Sequence, residues 1–219
     1  MAQHDRRVRR TRRLLIEALI ALIMEKGYAK ITVQDILDRA DIGRSTFYAH
    51  FRDREALLVA CFDNVRDELR REIGALAPGE SPPDPALPAA AIFAHAQRRR
   101  PVYRALCGRQ GGAIVIEHLH GLVRGLLEDH LRPHLVAAGS DMPVEVAAEF
   151  HASATVGLLS WWVECDFPYE PARLTALYRR LATPGMLAVL DSPTGENHTS
   201  RPRSAAQVAA GSSRSGSTG

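Results

Sequence analysis

Residues 32–51, TVQDILDRADIGRSTFYAHF, constrain the fold of this chain more than any other stretch. Thr32 suits a helix N-cap, because its hydroxyl can accept a free backbone N–H, and Asp35 suits the positive end of the turn that follows. Ile36, Leu37 and Ala40 fall on one stripe, which predicts a helix over 33–40. Asp41-Ile42-Gly43 reads as a turn, since Asp tolerates the left-handed conformation and Gly can cap the next helix. Arg44, Ser45 and Thr46 then open a second helix with hydrogen-bonding side chains. Phe47 and Phe51, four apart, share the face that anchors it, and Tyr48 and His50 lie off that face. A short helix, a tight turn and a second helix with a polar leading edge is the geometry that enters a DNA major groove. On this reading Arg44, Ser45 and Thr46 are the base-reading candidates. Thr32, Tyr48, His50 and Arg54 are the candidates for positioning phosphate.

The flanking residues extend the pattern. An apolar-periodic helix covers 14–25 and stops at Lys26-Gly27-Tyr28. Ile31-Thr32-Val33, Asp35-Ile36 and Ala40 follow, then the run Thr46-Phe47-Tyr48-Ala49-His50-Phe51, and Asp53-Arg54-Glu55-Ala56-Leu57-Leu58 opens a further helix. With these positions in register, residues 9–58 resemble the N-terminal domain of TetR-type (TetR/AcrR) transcriptional regulators. Asp41 stands where many members have Gly, Gly43 where many have Ser or Thr, and Arg54 where Lys is common. Each keeps the local physics: a turn residue, a cap, a cation.

The resemblance implies an all-α fold: a three-helix head, a linking helix, and a helical body whose last two helices pair with a second copy. The expected division is a basic disordered arm at 1–8, a DNA-binding domain at 9–68, a ligand-binding and dimerisation domain at 69–191, and a disordered tail at 192–219. The function it implies is a homodimeric repressor on double-stranded DNA, released from a pseudo-palindromic operator by a small-molecule effector. Paired recognition helices about 34–36 Å apart would read successive major grooves. The alternative is a regulator or coactivator whose body binds a partner protein. The same head residues would serve an activator.

Charge agrees with this division. The net charge is only +3. Residues 1–60, however, hold twelve Arg and Lys against eight Asp and Glu, a net +4, whereas residues 61–191 hold thirteen against sixteen, a net −3. A basic front on an acidic body fits a polyanion-binding module attached to something else. Arg6, Arg7, Arg9, Arg10, Arg12 and Arg13 crowd the first residues and can lie along phosphates or enter a minor groove. Arg-rich 6–13 before apolar 14–24 mimics a secretory signal, but Glu17 interrupts the run and Gly27-Tyr28 ends a helix where a small-residue cleavage site would be needed. No stretch reads as a membrane span. A cytoplasmic protein is expected, with Cys61, Cys107 and Cys165 as reduced thiols.

The body reads as helices over 54–77, 89–100, 101–107, 113–136, 143–164 and 171–190, with a proline-rich break at 77–88 and joints at 108–112, 139–143 and 166–171. In the last pair, Ala152, Ala154 and Gly157 permit close approach, and Leu158, Trp161, Trp162, Leu174, Leu177, Tyr178 and Leu181 offer apolar area for either a dimer or a core. Phe93, Tyr103, Cys107, Gln110, Ile114, His118 and Trp161 are the effector-site candidates, although each also suits ordinary packing. His130 and His134, four apart, have the spacing of a metal pair, but Pro133 disturbs that turn, and solvated histidines are the better reading. No nucleophile–base arrangement or phosphate loop stands out, so neither an enzyme nor a cofactor is expected.

Overall fold

The computed structural model describes residues 2–76, 84, 86–107 and 112–191. Among them the chain forms nine α-helices, one 3-10 turn and no strand, as the apolar periodicity predicts. The expected tail at 192–219, Gln110 and most of the proline-rich break lie outside the described residues.

Helix α1 (Ala2–Lys26) packs through Leu15, Ala18, Leu19, Leu22 and Ile23, all buried at three- and four-residue spacing. It begins at Ala2, within the stretch expected as a basic arm. Residues 2–8 contain no Gly or Pro, and Ala, Gln and Arg are strong helix formers, so the basic run extends α1. Gly27 ends the helix with φ 76°, a left-handed angle that a side chain would strain, and a 3-10 turn at Tyr28–Lys30 follows.

Helices α2 (Val33–Ala40) and α3 (Arg44–His50) occupy the expected positions. Thr32 accepts from the Asp35 N–H while the Asp35 carboxylate accepts from the Thr32 N–H, a reciprocal capping box. Asp41 takes up the left-handed conformation at the C-cap, φ 53° and ψ 50°, where a glycine would be conventional. Phe47 is wholly buried and Phe51 nearly so, which anchors α3 against the head.

Helix α4 (Arg54–Leu76) runs from head to body without interruption, so the expected division at 68/69 falls inside one continuous helix. The body is α5 (Leu87–Arg98), α6 (Arg100–Cys107), α7 (Gly112–Ala137), α8 (Val144–Glu164) and α9 (Pro171–Asp191). Helix α5 starts two residues before its expected position because Pro88 fits the first turn, where no N–H is required. It ends at Arg99, because Pro101 could not donate to Gln97 in a continuing helix.

The body's core is aromatic at its centre. Phe93 of α5 meets Trp162 of α8 and Tyr178 of α9 edge-on at 6.0 and 6.2 Å, and Trp162 meets Phe167 at 4.7 Å. Trp162, Leu174 and Tyr178 are therefore core residues of one subunit. Ion pairs tie α4 to the body: Glu68 to Arg99 at 2.9 Å, Glu72 to Arg98 at 2.5 Å and Arg70 to Asp129 at 2.6 Å. Cys61 and Cys107 are free thiols whose burial pushes each pKa up to about 12, which suits packing and not reactivity.

Candidate nucleic-acid interface

The turn at Asp41–Gly43 swings α3 across α2 and exposes its polar edge. Arg44, Ser45 and Ala49 are exposed, and Thr46 and His50 are half-buried. Facing them is the N-terminal part of α1. Arg7, Val8, Thr11 and Arg12 line, with Ser45, Thr46, Ala49 and His50, an open groove of about 600 Å³. Arg12 lies over the Phe51 ring at 4.7 Å, so a cation is held beside α3 by the residue that anchors that helix. Arg6, Arg7, Arg9, Arg10 and Arg13 are exposed along the same stretch of α1. Tyr48 is half exposed, and its ring braces edge-on against Phe47 at 5.3 Å. Two guanidiniums, three hydroxyls and an imidazole line this concave surface, with Arg44 and Tyr48 outside its lining, and such a set can satisfy phosphate oxygens and base edges together.

Thr32 and Arg54, both expected at the site, are engaged in bracing the motif itself. The Thr32 hydroxyl is engaged in the capping box, donating to Asp35 Oδ2 at 2.7 Å and accepting from the Asp35 N–H at 3.2 Å. Arg54 sits over the Tyr28 ring at 4.4 Å, and its Nη1 donates to the carbonyls of Tyr28, at 3.2 Å, and Ile31. It buttresses the bend that leads into α2 and is not among the residues that line the groove. Lys26 adds a second brace, its Nζ 2.7 Å from Asp35 Oδ1. That cation and the Thr32 hydrogen bonds hold the Asp35 carboxyl well below the usual carboxylate range.

The sequence reading missed two contributors. Thr11 belongs to the groove, yet in sequence it is one polar residue in an arginine run. Gln34 contacts Arg44 across the two helices, Arg44 Nη2 donating to Gln34 Oε1 at 3.0 Å. The effector candidates are dispersed: Phe93 and Tyr103 are buried in packed surroundings, His118 stacks on Phe62 at 5.9 Å, and Trp161 is exposed on α8. His130 and His134 meet ring to ring at 5.5 Å, and among the described residues no group of three or more His, Cys, Asp or Glu is disposed to hold a metal ion. Nor is any described helix long and apolar enough to cross a membrane.

This fold and surface define a helix-turn-helix protein with a basic reading face on a helical body. Residues 15–61 match the family described as bacterial regulatory proteins of the tetR family, and residues 89–184 match a transcriptional regulator C-terminal region. The chain belongs to the TetR family of helix-turn-helix regulators. The regulator TcmR of Streptomyces glaucescens is 25% identical over 192 residues, covering 76% of this chain and 79% of TcmR. An HTH-type transcriptional regulator of Bacillus subtilis, YxbF, is 47% identical over 57 residues, which are 26% of this chain and only 15% of YxbF. A TetR transcriptional regulator from Streptococcus agalactiae has the same fold, with a TM-score of 0.59 at 23% identity, covering 83% of this chain and 98% of that one.

Proposed function

We propose that the protein is a sequence-specific DNA-binding transcriptional regulator that acts as a homodimeric repressor. The observation that supports this reading is the groove in which Ser45, Thr46, Ala49 and His50 of α3 face Arg7, Thr11 and Arg12 of α1. Arg44, Ser45 and Thr46 read base edges, while Tyr48, His50, Arg7 and Arg12 hold phosphates. Thr32 and Arg54 serve by fixing the motif.

Dimerisation is supported by two unpartnered apolar stripes. On α8, Val146, Phe150, Gly157 and Trp161 recur at helical spacing on the exposed face; Phe150 is 63% and Trp161 43% exposed. On α9, Leu181 is 83% exposed, one turn from half-buried Leu177. Large apolar side chains at that exposure mark an association surface. A second copy covering both stripes would form a four-helix bundle and present two copies of α3. Release by a small apolar effector in the body follows the family pattern. A ligand that prefers the body with its heads too far apart lowers operator affinity by that preference.

Selection of randomised duplexes by the purified full chain, at near-physiological salt, tests the reading. Recovery of a pseudo-palindrome with half-sites one helical turn apart is expected. Weak, salt-sensitive recovery with no common motif would contradict it.

A further inference from the structure

The first side chain of α3 is held from outside its own helix. Arg44 Nη2 donates to Gln34 Oε1 on α2 at 3.0 Å, and Gln34 Nε2 donates to Asp38 Oδ1 at 2.7 Å, one turn further along α2. The two ends of this relay fix the Gln34 amide. An ionised carboxylate only accepts and a guanidinium only donates, so the reversed amide would set acceptor against acceptor at Asp38 and donor against donor at Arg44. All three side chains are exposed, and neither bond is needed to satisfy a buried group. The relay therefore does little for the core. What it does is tether one end of the guanidinium through Nη2, so that the fork's other N–H donors are not used in this bond. Guanine recognition by arginine needs two parallel donors on O6 and N7, and so depends on the guanidinium plane. An arginine left to swing free would surrender its side-chain freedom on each binding event, and would meet phosphates as readily as bases.

We propose that Gln34, oriented by Asp38, is a specificity-determining positioning residue that presets Arg44 to read one guanine in each half-site. This rests on the assignment of Arg44 as a base contact. Gln34 touches the reader, and its effect on sequence preference passes through Arg44.

The test is base preference at every position of the selected duplex, measured for the full chain and for Q34A, D38A, R44A and the Q34A/R44A double variant. Thermal melting of each variant serves as the control for folding. R44A flattens the preference at one symmetry-related pair of positions. Q34A flattens the same pair, with discrimination falling on the order of tenfold, and D38A does so more weakly. Affinity for an unrelated duplex changes little in Q34A, and the double variant is no flatter than R44A, because both act on one contact. If Q34A leaves the R44A position sharp, or weakens all sequences evenly, the relay is overturned while the reading of Arg44 stands. If R44A flattens no position, that reading fails and the relay with it.

Discussion

Tyr48 and Arg54 separate two kinds of residue that the motif alone presents alike. Tyr48 has its ring braced on Phe47 and is half exposed. Tyr48→Ala is expected to weaken binding to all duplexes evenly by about fivefold, the value of roughly one neutral hydrogen bond, in a fluorescence titration. Arg54, whose Nη1 binds the Tyr28 and Ile31 carbonyls, answers to a different measurement. Arg54→Ala should lower the stability of the chain by about 1–3 kcal/mol in chemical denaturation and leave base preference unaltered. The sequence made the positions of these side chains legible, since each follows from helix phase within a short motif. It did not make their partners legible. Arg54 meets Tyr28 across twenty-six residues, and Arg44 meets Gln34 only because the left-handed Asp41 sets the angle between two helices. Gln34 and Asp38 stand four apart on α2, but nothing in the sequence says that an arginine arrives beside them.

At the scale of elements, start and stop chemistry was the most readable layer. The Thr32 cap, the Gly27 stop and the Asp41 turn each act through the local backbone. Helix propensity and the absence of breakers carry α1 to Ala2, through residues expected as a basic arm. The capping box also has a pH signature. Lys26 and the Thr32 hydrogen bonds depress the folded-state pKa of Asp35 below its ordinary 3.8. The unfolded chain therefore takes up that proton first on acidification. The stability the box contributes is complete above about pH 3.8 and is lost as pH falls towards the depressed folded value. Asp35→Asn should remove this part of the acid dependence, as read from melting temperature against pH. His95 and His151 act higher on the scale. Burial lowers both pKa values from 6.5, so the unfolded state binds their protons more readily. Their contribution is full above pH 6.5 and erodes below it, and His151→Gln should soften the decline in melting temperature on that side.

For the whole molecule, one unbroken helix, α4, joins the helix-turn-helix head to the helical body. The stripes on α8 and α9 were ambiguous in sequence because an apolar residue at helical spacing serves a core or an interface equally. Only the packing of Phe93 against Trp162 and Tyr178 divides them, leaving Phe150, Trp161 and Leu181 outside. Leu181→Asp should shift the sedimentation coefficient from dimer towards monomer and, at equal chain concentration, weaken operator binding without changing the preferred half-site. The central claim is that α3 and the start of α1 form the DNA-facing surface. Hydrogen exchange of the full chain, with and without the selected duplex, tests it most directly. Gly43 provides no side-chain cap to α3, so its first N–H groups are open to solvent until something covers them. The account predicts that duplex slows exchange in peptides spanning 6–13 and 43–50 and leaves α5, α8 and α9 unchanged. Protection confined to the body, or absent from 43–50, would contradict it.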